Sequence, residues 1–147
     1  MFKSALCMAA GIIAALSSAS AAERTERLRI NILEGDGAGT RLLGSLTFKD
    51  DLLPADLSGG FTVTADADDL KVNFPLVEGF VATEVNDFEF PFFPSATFDG
   101  EGALTDLQFN VAETELFLDV AGDLSFIYEI GPFDAPLFAG SGRIAGG

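Results

Sequence analysis

Residues 107–130, LQFNVAETELFLDVAGDLSFIYEI, decide the fold class. Leu107, Phe109 and Val111 alternate with Gln108 and Asn110, and Leu116, Leu118 and Val120 follow at the same spacing. Leu124, Phe126, Tyr128 and Ile130 then run against Ser125, Ile127 and Glu129. Successive side chains of an extended backbone point to opposite sides, so each run is a strand with one apolar row. Gly122-Asp123 lies between the last two runs, where a chain reversal favours residues that tolerate unusual backbone angles.

The same alternation extends toward the N-terminus. Leu28, Ile30 and Ile32 alternate with Arg27, Arg29 and Asn31; Leu42, Gly44, Leu46 and Phe48 with Leu43, Ser45 and Thr47. Phe61, Val63 and Ala65 oppose Thr62 and Thr64, and Leu70, Val72 and Phe74 oppose Lys71 and Asn73. Between the runs stand Gly35-Asp36-Gly37-Ala38-Gly39, Asp99-Gly100-Glu101-Gly102 and Asp66-Ala67-Asp68-Asp69, the last read as a tight hairpin connection. The longer Asp50 to Gly60 connection leaves room for a helical turn around Leu52-Leu53-Pro54. Short strands with turns between them and no helical period predict a single all-β domain, an antiparallel β-sandwich, with a small β-barrel as the alternative.

Residues 88–98, FEFPFFPSATF, hold five of the chain's fifteen phenylalanines. Read as a strand, the segment buries Phe88, Phe90 and Phe92 in one row and turns Glu89 and Pro91 to water, with Phe93 on the wrong face for the core. Pro91 and Pro94 offer no ladder N–H, which makes this an edge strand or its end. The chain has one tyrosine and no tryptophan. Aromatic platforms for sugars and belts at membrane interfaces favour rings with a polar tip, so the phenylalanines are expected to be core filling.

The N-terminus indicates the compartment. Lys3 precedes an uncharged apolar run from Ala5 to Leu16, and Ser17 to Ala22 is a small-residue tract with an A-x-A site at Ala19 and Ala21. The run is shorter than the roughly 20 residues that span a bilayer. Residues 1–22 are therefore read as a cleaved signal peptide and 23–147 as the domain, in a secreted or periplasmic protein not inserted in a membrane after cleavage. Leu6 stands where a lipoprotein signal would need a small residue, so Cys7 leaves with the signal peptide. The remaining chain has neither cysteine nor histidine. Zinc, copper, haem and iron–sulfur chemistry lose their usual ligands, and no disulfide supports the fold.

Eight Lys and Arg against 23 Asp and Glu give a net charge of −15. Repulsion from phosphate argues against nucleic acid and anionic membranes as partners, and the expected surface is acidic and solvated. An extracellular matrix or cell-surface protein is the partner class consistent with export.

Without His or Cys neither a Ser-His-Asp triad nor a thiol nucleophile can form, and no catalytic residue is assigned. Gly35-x-Gly37-x-Gly39 lacks the lysine and following helix of a phosphate loop. A carboxylate pair for glycan hydrolysis is one alternative. The other is calcium: Asp66, Asp68 and Asp69 are the candidate ligands, with Asp36 or Asp99 from other loops, although Lys71 stands where an EF-hand places glycine.

Gly44-Ser45-Leu46-Thr47-Phe48-Lys49-Asp50, Gly60-Phe61-Thr62-Val63-Thr64 and the stretch from Pro94 through Asp99-Gly100-Glu101-Gly102-Ala103-Leu104-Thr105-Asp106-Leu107 to Phe109 resemble the small exported all-β domains of bacterial PEP-CTERM, or exosortase-sorted, proteins. The resemblance implies an exported surface or matrix component and no activity. The chain ends Gly140-Ser141-Gly142-Arg143-Ile144-Ala145-Gly146-Gly147 without that family's Pro-Glu-Pro, hydrophobic span and basic tail, so a freely soluble product is expected.

The expected function is an exported non-enzymatic surface, matrix or periplasmic module that needs no cofactor. Expressed with its N-terminus in a bacterium, the protein should be recovered from the periplasm or medium with an intact mass starting at Ala22 or Glu23. A cytoplasmic product retaining Met1 would refute export.

Overall fold

The computed structural model describes residues 22–146. The expected signal peptide, with Lys3 and Cys7, lies outside the described residues apart from Ala22. Eleven strands follow one another: β1 (Glu23–Gly35), β2 (Arg41–Lys49), β3 (Phe61–Thr64), β4 (Lys71–Pro75), β5 (Val81–Thr83), β6 (Ser95–Phe98), β7 (Leu104–Gln108), β8 (Asn110–Ala112), β9 (Leu116–Val120), β10 (Ser125–Ile130) and β11 (Phe138–Gly146). Every pairing is antiparallel. The all-β class holds, and no helix among the described residues is long and apolar enough to cross a membrane.

Eight strands form one sheet in the order β5-β4-β2-β1-β11-β10-β9-β8, and β3-β6-β7 form a second, smaller sheet. The larger sheet curls until its ends almost meet. The chain leaving β5 crosses the remaining gap: Asp87 bridges to Val111 of β8, and the Phe88 N–H donates to the Asn110 carbonyl at 3.1 Å. Two carboxylates take up N–H groups at the open edges. Glu84 accepts from the Val72 N–H of β4 at 2.9 Å, and buried Asp87 accepts from the Asn110 N–H at 3.0 Å. Without them these edge donors would lose a partner, at a cost of about 1–3 kcal/mol each where buried.

The alternating rows of the sequence fill the interior. Leu28, Ile30, Ile32, Leu46, Phe74, Phe109, Leu118, Phe126 and Tyr128 are all buried, while their neighbours Leu43 and Ile127 face outward. Phe74 meets Phe126 edge-on at 5.3 Å. A second aromatic group joins the two sheets: Phe61 of β3 stacks on Phe98 of β6 at 5.0 Å, and Phe48 of β2 packs against both. Arg24 closes this group, its guanidinium 5.5 Å from the Phe61 ring centre and 3.4 Å from Glu26.

The row expected over Phe88–Phe92 is not formed. The segment is a succession of turns, with Phe90 N–H donating to the Asp87 carbonyl at 3.1 Å and Phe92 N–H to that of Glu89 at 3.0 Å. Alternation sorts side chains only along an extended backbone. Phe88, Phe90 and Phe92 are accordingly exposed, at 62, 44 and 68%, and Phe93 is half-buried. Two connections also differ from expectation. Ala65–Asp68 is a single helical turn joining strands of different sheets, since β3 pairs with β6 and β4 with β2 and β5, so it is no hairpin. Asp50 to Gly60 is made of turns without a helix.

β11 was not legible in the sequence as a strand, yet it sits centrally between β1 and β10. Its inward positions include Gly140 and Gly142, which lie directly across from Tyr128 and Phe126 of β10. A Cβ on Gly142 would run into the Asn31 carbonyl and lie 2.6 Å from the Phe126 ring; one on Gly140 would lie 2.8 Å from the Tyr128 hydroxyl oxygen. The rings occupy the volume the glycines leave empty. Tyr128 then donates its hydroxyl to the Asp36 carbonyl, tying β10 to the β1–β2 turn.

Two outcomes follow. Gly142→Ala should lower the urea midpoint by an amount equivalent to about 1–3 kcal/mol, the usual cost of overpacking; an unchanged midpoint would show that the strand and ring separate freely. Burial, and then the negative charge of Asp36, raise the Tyr128 pKa above 10.0, the ordinary tyrosine value. The unfolded chain therefore loses this proton first, so the stabilisation is complete below pH 10 and lost as pH rises through the folded-state value. Urea midpoints measured from pH 8 upward should fall less steeply for Tyr128→Phe than for the wild type.

Candidate functional site

Antiparallel alternation that buries one row of each strand displays the other. On the outside of the barrel β1 shows Thr25, Arg27, Arg29, Asn31 and Leu33, and β2 shows Arg41, Leu43, Ser45, Thr47 and Lys49. Flanking them, β4 shows Lys71, Asn73 and Pro75, and β11 shows Ser141, Arg143 and Ala145. Of the eight Lys and Arg, Lys3 lies outside the described residues, and of the remaining seven, six (Arg27, Arg29, Arg41, Lys49, Lys71 and Arg143) stand on this face. Among the outward positions of these four strands the carboxylates are Glu23, opposite Lys49, and Glu34, which a bulge in β1 sets opposite Ser141, so they stand at the two ends of β1. A chain with 23 acids thus keeps the middle of one four-strand face, between Thr25 and Leu33 of β1, without an outward carboxylate on its strands.

The registers fix how these side chains neighbour one another. Arg41, Asn31, Arg143 and Ser125 form one row across β2, β1, β11 and β10, and Leu43, Arg29 and Ala145 form the next. Arg41 and Arg143 are thus separated by two strand spacings, roughly 10 Å, and Arg29 lies roughly 7 Å along β1 from Asn31. Arg29, Asn31, Leu33, Gly39, Thr40, Arg41, Leu43, Arg143 and Ala145 line a shallow groove of about 600 Å³.

Among the described residues the ion pairs are Arg24 to Glu26 and Lys49 to Asp69, at 3.4 and 3.2 Å. Arg27, Arg29, Arg41 and Arg143 have no carboxylate partner within that set. Arg143 donates instead to the Asp123 backbone carbonyl at 3.2 Å. The Asp123 carboxylate serves Ser125, whose hydroxyl and N–H hold its pKa below the usual range, with Arg143 adding a smaller push in the same direction. At the lower end Glu101, from the turn between β6 and β7, shares a depression with Arg27 and Arg29.

The calcium candidates occupy separate places and tasks. Asp66 is exposed on the helical turn. Asp68 is buried and accepts from the Thr64 N–H at 3.1 Å, closing the turn from inside. Asp69 pairs with Lys49. Asp36 accepts from the Ala139 N–H at 2.9 Å, and Asp99 from the N–H groups of Glu101 and Ala103, also at 2.9 Å. No group of three or more acidic, histidine or cysteine side chains is gathered as a metal site among the described residues.

A second concavity, about 500 Å³, lies between the β1–β2 and β4–β5 turns and is lined by Leu76, Val77, Phe80 and Phe138 beside Asp36 and Glu78. The cationic face was missed by the sequence reading because charge was counted as a total. Arg27 and Arg29 were visible as outward alternates, but Arg143 joins them only through the pairing of β11 with β1. No protein family, no curated protein and no solved structure shows significant similarity to this chain.

Proposed function

We propose that the protein is an exported, non-enzymatic binding module of the periplasm or cell exterior that takes up anions on its cationic barrel face. The observation that carries this reading is the sorting of charge: six of seven cations on one sheet face whose strands bear outward carboxylates only at the two ends of β1, in a chain of net charge −15. Holding like charges side by side is unfavourable by itself, and an anion that neutralises them converts that cost into affinity. The N-terminal pattern of a signal peptide supports export.

Binding without chemistry fits the side chains present. An arginine stays protonated and can neither abstract a proton nor attack. Thr40 is the hydroxyl in the groove, and the groove contains no carboxylate or histidine to activate it. The barrel axis is filled by core side chains, so recognition belongs to the outside.

A titration of isotopically labelled mature protein with inorganic pyrophosphate tests the reading. Amide shifts should saturate and cluster at Arg29, Asn31, Arg41, Leu43 and Arg143, and Arg41→Gln with Arg143→Gln should remove them. Shifts scattered over the surface, or none, would refute it.

A further inference from the structure

The geometry points to a phosphate monoester with a short apolar tail, bound as a single molecule, as the occupant of the groove over Asn31. This rests on the anion-binding reading above and narrows it to one ligand class. The groove, about 600 Å³, has the size of a small-molecule site, and such sites join an apolar lining to a few placed polar groups.

The polar groups here are three guanidiniums and one amide. Arg41 and Arg143 flank Asn31 and Arg29 follows it along β1. A planar carboxylate presents two oxygens, which one bidentate arginine satisfies. A phosphate monoester presents three terminal oxygens and up to two charges, so it can engage donors arriving from β2, β1 and β11 together.

The apolar groups explain the tail. Leu33 and Leu43 border the groove with 60 and 65% of their surface exposed, and Ala145 adds a third apolar side chain. A bare anion would leave these leucines in water, whereas an alkyl or prenyl-like chain lying across them removes apolar surface from it.

Two larger occupants fit less well. An extended polyanion continuing down β1 would meet Glu101 and Glu26 beside Arg27. An anionic bilayer would approach a molecule whose seven cations and 23 acids beyond Lys3 sum to −16. A compact monomeric amphiphile avoids both.

Calorimetry on the mature protein tests the assignment with four probes: inorganic phosphate, octyl phosphate below its micelle concentration, octyl glucoside, and vesicles containing phosphatidate. Octyl phosphate should bind with one-to-one stoichiometry at least tenfold more tightly than inorganic phosphate, and octyl glucoside and the vesicles should not bind. Arg29→Gln and Arg143→Gln should each weaken octyl phosphate about tenfold, as expected for loss of one charge-assisted hydrogen bond. Leu43→Asn should bring octyl phosphate down to the level of inorganic phosphate while leaving the latter unchanged. All three positions are exposed, and an unaltered urea midpoint confirms that the variants are folded. If pyrophosphate maps to the arginine face but octyl phosphate is no tighter than inorganic phosphate, the amphiphile assignment fails and the anion-binding reading stands. If the vesicles bind, the occupant is a membrane and the assignment fails. If neither pyrophosphate nor octyl phosphate binds, both fall.

Discussion

The packing of the Phe126 and Tyr128 rings over Gly142 and Gly140 is the contact on which the architecture depends. A cysteine-free domain has to be held by its core, and at the centre of this core two neighbouring strands set large rings of β10 directly opposite glycines of β11. The glycines let the backbone of β11 approach β1 and β10 closely enough to complete the sheet between them. A glycine inside a strand has an entropic cost of roughly 0.5–1 kcal/mol, and the ring packed over it offsets that with buried apolar area.

Closure of the barrel uses a different device. The ends of the curled sheet are too short to pair along their length, and the segment from Glu84 to Phe88 spans them with carboxylates acting as surrogate backbone acceptors. This occupies the open edges that would otherwise be free to pair with another chain. Acidic residues that raise the net negative charge are, at these two positions, structural parts of the sheet.

The fold class was legible wherever the backbone is extended and the inward row is large and apolar. β1, β2, β4, β9 and β10 follow from period two alone, because burial of one face forces it. Reading failed in two opposite ways. β11 interrupts its inward row, between Phe138 and buried Ile144, with Gly140 and Gly142, so the row is complete only in relation to the rings of β10. Phe88, Phe90 and Phe92 have the pattern without the backbone, since consecutive turns around Pro91 replace the strand. The candidate site shows the same limit: Arg27 and Arg29 stand out as outward residues, but their grouping with Arg41 and Arg143 is a product of strand order. Asp68 and Asp69, adjacent in sequence, are engaged by a backbone amide and by a lysine instead of by a common ion.

The confinement of the cations to one face separates what the molecule does at a distance from what it does on contact. At physiological ionic strength fields decay over about 8 Å, while four strands side by side already span roughly 14 Å. A small solute touching Asn31 therefore experiences the nearby guanidiniums and hardly any of the carboxylates on the far side of the barrel. The isoelectric point near 4.1 describes how this protein migrates in an electric field and keeps apart from its copies, and it carries no information about the potential inside that groove.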